Sequence, residues 1–122
     1  MPVAASSLAG RGEALVCDHL KKKKFSILAR NFAVKGGEID IIARKGSLVC
    51  FVEVKTRKSL KKGRGVEAVT AAKLKKIHAA SKLFIGRHRL SSCRHRIDVA
   101  EVLWQEEDDP RINYIENVFQ ED

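Results

Sequence analysis

The 122-residue chain has few of the residue types from which several common functional sites are built. Its three cysteines, Cys17, Cys50 and Cys93, form no C-x-x-C pair, the spacing that is typical of zinc ligands and redox dithiols. The four histidines show no metal-ligand spacing with one another or with the cysteines. A zinc site and a histidine nucleophile therefore have little support, and we expect reduced thiols.

Long hydrophobic runs and aromatic residues are also scarce. No apolar run approaches the ~18 residues of a membrane span, and residues 1–10 lack the charged start and long apolar stretch of a signal peptide. We therefore expect a soluble cytoplasmic protein with no membrane partner. Only 7 residues are aromatic, and they are not interleaved with basic residues, which argues against a base-stacking platform for single strands.

Acidic residues are rare over most of the chain. Residues 1–100 hold 23 basic and 7 acidic residues, a net charge of +16, whereas residues 101–122 hold 1 basic and 8 acidic residues, a net charge of −7. A basic body of this kind attracts polyanions, nucleic acid first and anionic lipid second. Lysines 21–24 suit the solvated carboxyl end of a helix, and a dedicated phosphate site is the alternative.

The length predicts one domain over residues 1–122, with a flexible start at residues 1–7 and an acidic strand segment at residues 101–122. Hydrophobic periodicity predicts helices at 7–24 and 66–86 and strands at 25–32, 38–44, 48–56, 96–104 and 111–119. Residues 48–54 are apolar on both faces apart from Glu53, so this strand should lie at the centre of the sheet. The fold class is α/β, with a mixed sheet of about five strands flanked by helices.

Three charged side chains interrupt the two central apolar strands. Glu53 and Lys55 are two residues apart and leave the same face of their strand. A two-residue hairpin loop would place Asp40 across from position 51 or 53, on that face. Buried, adjacent carboxylates repel each other unless a cation binds them. Mg²⁺ prefers such oxygen ligands, and Asp40, Glu53 and the carbonyl of Val54 could supply them, while Lys55 would stabilise charge on a phosphate. An ion pair between Lys55 and one carboxylate is the alternative.

These residues carry a family resemblance. Asp40 followed by Glu53-Val54-Lys55 resembles the D…(D/E)-x-K pattern of PD-(D/E)XK nucleases. A longer set resembles the YraN-like family of small bacterial proteins: Gly12-Glu13, Asn31, Gly37 to Asp40, Phe51 to Arg57, Lys73, Arg96 to Val99 and Asn117 to Phe119. The resemblance implies a restriction-endonuclease-like fold, Mg²⁺ or Mn²⁺ as cofactor, and relatives that include archaeal Holliday-junction resolvases. In those resolvases an acidic residue of the first helix joins the metal site, and Glu13 matches it.

Further charged and polar residues could contribute to this site or to the structure around it. Helical projection turns Glu13 toward the core, where it could bind metal, cap a backbone group or pair with an arginine. Glu38 shares the strand face of Asp40 and could hold Asn31 or a turn amide. Lys73 falls within the apolar stripe of the second helix, from which it could reach solvent or the carboxylates. Arg96 and Asp98 are expected to form a structural pair.

Basic residues after the central strand are candidates for sequence-independent phosphate contacts, with solubility as the alternative role. They are Arg57, Lys58, Lys61, Lys62, Arg64, Lys75 and Lys76. Together with the carboxylate–lysine group, they predict a metal-dependent endonuclease that acts on duplex or branched DNA. A non-catalytic nucleic-acid-binding module with the same fold is the alternative. Symmetric cleavage of a branched substrate would favour a homodimer.

Overall fold

The computed structural model describes residue 4 and residues 7–58, 69–105 and 109–120. These residues form two helices and five strands: α1 (Leu8–Lys22), β1 (Ser26–Val34), β2 (Gly37–Lys45), β3 (Leu48–Arg57), α2 (Ala71–Arg87), β4 (Arg94–Leu103) and β5 (Arg111–Ile115). The predicted order of helix, three strands, helix and two strands is confirmed. Within the described ranges, neither helix is long and apolar enough to cross a bilayer.

The five strands form one sheet in sequence order, with β3 in the centre as predicted. β3 and β4 run parallel, and all other neighbouring pairs are antiparallel. A parallel pair needs a crossover connection, and α2 lies in the chain between β3 and β4. The expected α/β fold with a mixed five-stranded sheet is therefore confirmed.

The helices bury opposite faces of the sheet. Val16 and Leu20 of α1 pack with Val52, whereas Ile77 and Phe84 of α2 belong to a second apolar cluster. Adjacent β3 residues Phe51 and Val52 both have no exposed surface, which explains why the strand is apolar on both faces.

Local capping sets where the helices begin. Ser7 caps α1, because its hydroxyl accepts a hydrogen bond from the Gly10 N–H at 3.0 Å. Thr70 caps α2 in the same way and accepts from the Lys73 N–H at 3.1 Å. The prediction that the second helix begins at residue 66 is therefore wrong for residues 69–70, and residues 66–68 lie outside the described part of the chain.

The last strand is shorter than predicted. β5 ends at Ile115 rather than at residue 119, because Asn117 adopts a left-handed φ of 55° and its N–H donates to Asp98 at 2.9 Å. This turn carries Val118 and Phe119 to the apolar cluster of α2. The predictions for residues 1–7 and for the acidic segment fall partly outside the described residues, at 1–3, 5–6, 106–108 and 121–122.

Candidate active site

A two-residue turn brings the first pair of candidate residues together. Lys45 and Leu48 are paired, so Gly46 and Ser47 alone form the loop of the β2–β3 hairpin, and Gly46 adopts a φ of 59°. The same register pairs Ile41 with Val52, which brings the next residues, Asp40 and Glu53, opposite each other. The convergence that the sequence predicted for a two-residue loop is present.

Asp40 and Glu53 are adjacent carboxyl groups in a buried position. Glu53 is 4% exposed. Burial, followed by the charge of Glu53 and a hydrogen bond between the two carboxyl groups, raises the pKa of Asp40 to about 7. The Val54 N–H, which donates to Asp40 Oδ2 at 2.8 Å, and the positive charge of Lys73 act in the opposite direction. Without a cation, the two groups are best satisfied by sharing a proton.

Two lysines adjoin these carboxyl groups from different elements. Lys73 of α2 places its Nζ 3.3 Å from Glu53 Oε1, so it reaches the carboxylates rather than extending away from them. Burial opposes its charged form, but the Glu53 carboxylate leaves the pKa of Lys73 raised. Lys55 contacts Lys73 and is half-buried. Burial and the neighbouring Lys73 charge lower the pKa of Lys55, although Glu53 and Asp40 oppose this shift.

Glu13 of α1 points inward, as its helical position predicted, and is 3% exposed. Its Oε1 accepts from Asn31 Nδ2 at 3.0 Å and from an Arg30 guanidinium nitrogen at 3.4 Å. Burial and then the nearby Asp40 raise the pKa of Glu13, against the effect of its two donors. The side chain of Asn31 therefore binds Glu13 and not, as the sequence suggested, Glu38.

Arg30 is the residue of this group that the sequence did not indicate. Neighbouring residues of a regular strand point to opposite faces, so Arg30 and Asn31 would not be expected to share a partner. Asn31 has a left-handed φ of 50°, which breaks this alternation. The sequence does not show where this break occurs, although asparagine is one of the residues that adopt a left-handed φ more readily than most.

The carboxyl groups open into a cleft of about 380 Å³ at the amino end of α2. The cleft is lined by Gly37, Glu38, Asp40, Glu53, Thr70, Ala72, Lys73, Lys76 and Ile77. A Cβ at Gly37 would lie 2.8 Å from the Lys76 carbonyl oxygen, so only glycine allows β2 to pass this close to α2. Glu38 is thus placed on the cleft wall beside Asp40.

The predicted phosphate-contact residues are partly described. Lys58 follows β3 and is exposed, and Lys75 and Lys76 are exposed on α2. Lys76 lines the cleft directly. Arg57 is the last residue of β3, and its carbonyl accepts from the Trp104 N–H at 2.8 Å. Lys61, Lys62 and Arg64 lie outside the described residues.

Arg96 and Asp98 form the structural pair that the sequence predicted, away from this cleft. The guanidinium donates to both carboxylate oxygens at 2.9 and 3.1 Å. Asp98, which has no exposed surface, also accepts from the Tyr114 hydroxyl at 2.6 Å and from the Asn117 N–H. These donors satisfy a buried charge and attach β5 and the following turn to β4.

The cleft offers oxygen ligands of the kind that hard divalent cations bind. Asp40 and Glu53 provide two adjacent carboxylates, and Mg²⁺ is commonly held by one or two carboxylates with waters. Over the described ranges, no three His, Cys, Asp or Glu side chains form a ready-made metal-binding group. The participation of Glu13 as a further ligand therefore stays a prediction.

Comparison with known proteins gives the chain a family. A model described as "Uncharacterised protein family UPF0102" matches residues 12–102. A UPF0102 protein of Caldicellulosiruptor saccharolyticus is 42% identical over 113 residues, which cover 92% of this chain and 96% of that protein. A UPF0102 protein of Alkaliphilus metalliredigens is 41% identical over 115 residues, which cover 94% of this chain and 99% of the relative. The chain belongs to the UPF0102 family, which is the YraN-like family that its motifs resemble.

Proposed function

We propose that the protein is a Mg²⁺- or Mn²⁺-dependent DNA endonuclease of the PD-(D/E)XK type. One observation carries this proposal: Asp40 and Glu53 face each other in the lining of a cleft, with Lys73 in the same lining and Lys55 beside Lys73. A purely structural ion pair would need one carboxylate, whereas this cluster buries two and raises the pKa of Asp40 to about 7. Such crowding of like charges is typical of a site that functions with a bound cation.

The donor set suits the proposed cation. Asp40 and Glu53 would hold it, with the Val54 carbonyl and Glu13 as further candidates. When bound, a divalent cation polarises a phosphoryl oxygen and lowers the pKa of a water. The Val54 N–H fixes one oxygen of Asp40 at 2.8 Å, so this carboxylate is already oriented before anything binds. Asn31 and Arg30 fix Glu13 in the same manner.

The two lysines have separate proposed roles. Lys55 is half-buried beside Lys73 and close to Glu53 and Asp40, so its ammonium lies where it could contact a phosphate bound at the two carboxylates. It would stabilise the negative charge that develops on the phosphoryl oxygens during hydrolysis. Lys73 would position Glu53, because its Nζ lies 3.3 Å from Glu53 Oε1.

The proposed substrate is duplex or branched DNA in the cytoplasm. Lys76 lines the cleft. Lys58, directly after β3, and Lys75, on α2, are exposed. Exposed lysines of this kind bind phosphates without reading sequence. Three free cysteines agree with a reducing compartment. A homodimer would allow paired cuts in a branched substrate.

Cleavage of a labelled DNA panel tests the proposal. Linear duplex, single strand, flap and four-way junction, with an RNA control, are incubated at low salt with Mg²⁺ or Mn²⁺. We expect metal-dependent cutting by the wild type and a loss of at least about 10²-fold in Lys55→Ala and Asp40→Asn. The first removes a positive charge beside the reacting phosphate, and the second removes a carboxylate that would hold the cation. Lys21→Ala, which removes an exposed lysine of α1, is the matched control and should cut normally.

Three results would refute the nuclease proposal. Cutting that persists undiminished in both variants would indicate a contaminating nuclease. Salt-sensitive DNA binding by the wild type without cutting of any substrate would favour the non-catalytic binding module instead. The absence of both binding and cutting would exclude both functions for these substrates.

A further inference from the structure

A second cleft lies at the opposite end of the sheet from the candidate active site, and we call it the distal cleft. It has a volume of about 640 Å³ and is lined by His19, Leu20, Lys23, Lys24, Phe25, Lys45, Leu48, Arg96, Tyr114 and Glu116. Leu48 begins β3, and Glu53 lies five residues later, a distance of roughly 17 Å along a strand. The two sites therefore share no residue and stand apart.

Positive charge converges on the distal cleft from two elements. Lys23 and Lys24 follow the carboxyl end of α1, and Lys24 adopts a φ of 73°, so the chain reverses there. Lys45 reaches the same cleft from the end of β2. In the part of the chain that the structure describes, no carboxylate forms an ion pair with these three lysines. Among the described residues, these three ammonium groups thus have no carboxylate as a counter-charge.

The single carboxylate of the distal cleft is already engaged. Glu116 lies 3.3 Å from an Arg96 nitrogen, and Arg96 also binds Asp98 through two hydrogen bonds. Arg96 is therefore held in place by protein groups. The unmatched charge belongs to the lysines, and this arrangement suits an anionic ligand such as phosphate.

Aromatic rings form the other wall. Tyr114 stacks on His19 with ring centroids 5.8 Å apart, and its hydroxyl donates to Asp98 at 2.6 Å, so the ring is fixed. Lys45 lies over the Phe25 ring, 5.7 Å from its centroid. Burial, together with Lys23 and Lys22, lowers the pKa of His19 and favours its neutral ring. Rings beside unpaired ammonium groups suit a ligand that joins a planar base to a phosphate.

We propose that the distal cleft binds a nucleotide unit, with its phosphates on Lys23, Lys24 and Lys45 and its base against Phe25 and Tyr114. The volume is within the range of roughly 300–1,000 Å³ that is usual for small-ligand sites. The same chemistry is offered by a free nucleotide and by the phosphorylated end of a nucleic-acid strand. This proposal is independent of the nuclease proposal, because neither needs a residue of the other.

Titration calorimetry of the full chain tests the distal cleft. The probes are ADP, adenosine, inorganic pyrophosphate and a short oligonucleotide with a 5′-phosphate. We expect saturable ADP binding. In a parallel NMR titration with ADP, the amide shift changes should be concentrated near Phe25, Lys45 and Tyr114. The triple substitution Lys23→Ala, Lys24→Ala, Lys45→Ala should weaken ADP binding at least about tenfold, because it removes the phosphate contacts.

A matched control separates a site from general charge attraction. The triple substitution Lys21→Ala, Lys22→Ala, Lys35→Ala removes the same charge from exposed positions that do not line the cleft. It should weaken ADP binding by less than about twofold at a salt concentration that screens distant charges. Phe25→Leu should weaken ADP and leave pyrophosphate unchanged, because only the base contact is lost.

The outcomes decide the proposal and the source of the ligand. Equal losses in the two triple variants, shifts elsewhere on the protein, or no saturable binding of ADP and the oligonucleotide would overturn it. Oligonucleotide binding that is tighter than ADP binding and is lost in the cleft variant would identify a strand end. Comparable affinities, with the same loss, would identify a free nucleotide.

Discussion

Asp40 shows how the chemistry of this protein depends on single residues. Its carboxyl accepts the Val54 N–H, faces Glu53 and is close enough to Glu13 to raise the pKa of that side chain. Three carboxyl groups are therefore coupled electrostatically, and only Lys73 and Arg30 are ion-paired with them among the described residues. The arrangement is costly for a structure without function, because each ionised group raises the cost of ionising the next.

Asp40→Asn should make stability less sensitive to pH. The pKa of Asp40 is about 7 in the folded chain and near 3.8 without these neighbours. Its contribution to stability is thus fully present below about pH 4 and is lost as the pH rises through 7. Asparagine cannot ionise, so we expect the variant to gain on the order of 2 kcal/mol over the wild type between pH 4 and pH 8.

Urea unfolding in EDTA at the two pH values measures this gain. Asp18→Asn, at an exposed acidic position of α1, is the control and should keep the pH dependence of the wild type, because Asp40 is unchanged. A constant difference between Asp40→Asn and the wild type at both pH values would mean that Asp40 is already ionised in the acidic range.

Several site residues could be predicted from the sequence because they break simple patterns. Glu13 falls on the apolar face of a helix and is buried close enough to Asp40 for that charge to raise its pKa. Lys73 falls in the apolar stripe of the other helix and contacts Glu53. Arg30 could not be predicted in this way. Its role depends on the left-handed backbone of Asn31, which is decided by the surrounding packing and not by alternation along the strand.

Helix α1 illustrates how a whole element is placed by a close approach. A Cβ on Gly12 would overlap the Thr56 side chain, so the helix can lie against β3 only with glycine at this position. Thr56 Oγ1 is buried and finds no hydrogen-bond partner among the described residues. The contact therefore serves packing, and it sets the depth at which the next residue, Glu13, is buried.

Gly12→Ala should destabilise the protein by about 2 kcal/mol, because an added methyl group in a filled space forces neighbours to move. Thr56→Ala removes the atoms it would strike, so the double variant should lose less than the sum of the single variants. Gly86→Ala is the matched control, since a Cβ there meets nothing within 4 Å, and it should be neutral or stabilising. Urea denaturation of the four variants measures these effects, and strict additivity would contradict the contact.

Element boundaries followed the sequence where local chemistry decides them. The two-residue turn at Gly46 fixed the β2–β3 register, and the apolar run of β3 indicated its central place. The predicted start of α2 and the predicted end of β5 are wrong. Helix α2 begins after Thr70, because Thr70 caps it, although the apolar pattern in the sequence starts earlier. Strand β5 ends early because Asp98 accepts a hydrogen bond from a backbone N–H of the following turn. The second cause involves a residue 19 positions away, which no local pattern contains.

The two clefts of the molecule lie at different ends of the sheet and carry different charges. The carboxylate cleft lies at the amino end of α2, whereas the distal cleft lies at the carboxyl end of α1. A net charge of +9 over the chain would draw nucleic acid toward either end. If the protein is a nuclease, as proposed, local groups and not the overall field would therefore decide where a strand is cut.

DNA binding should depend steeply on salt and on the lysines of α2. If about four phosphates are contacted, affinity should fall about 10²-fold between 50 and 200 mM salt. Lys75→Ala with Lys76→Ala should lower the slope of log affinity against log salt by about 2, because two phosphate contacts are lost. Lys21→Ala with Lys22→Ala is the charge-matched control. Fluorescence anisotropy on a junction and a duplex gives the slopes, and identical slopes in all proteins would place the bound DNA elsewhere.

The most direct test of the central claim, that Asp40 and Glu53 together bind a divalent cation, is a calorimetric titration with Mn²⁺ at pH 8. We expect one Mn²⁺ per chain in the wild type, a loss of affinity of at least about tenfold in Asp40→Asn and Glu53→Gln, and unchanged or tighter binding in Lys73→Met, which frees Glu53. Equal Mn²⁺ affinity in the wild type and in both carboxyl variants would contradict the claim.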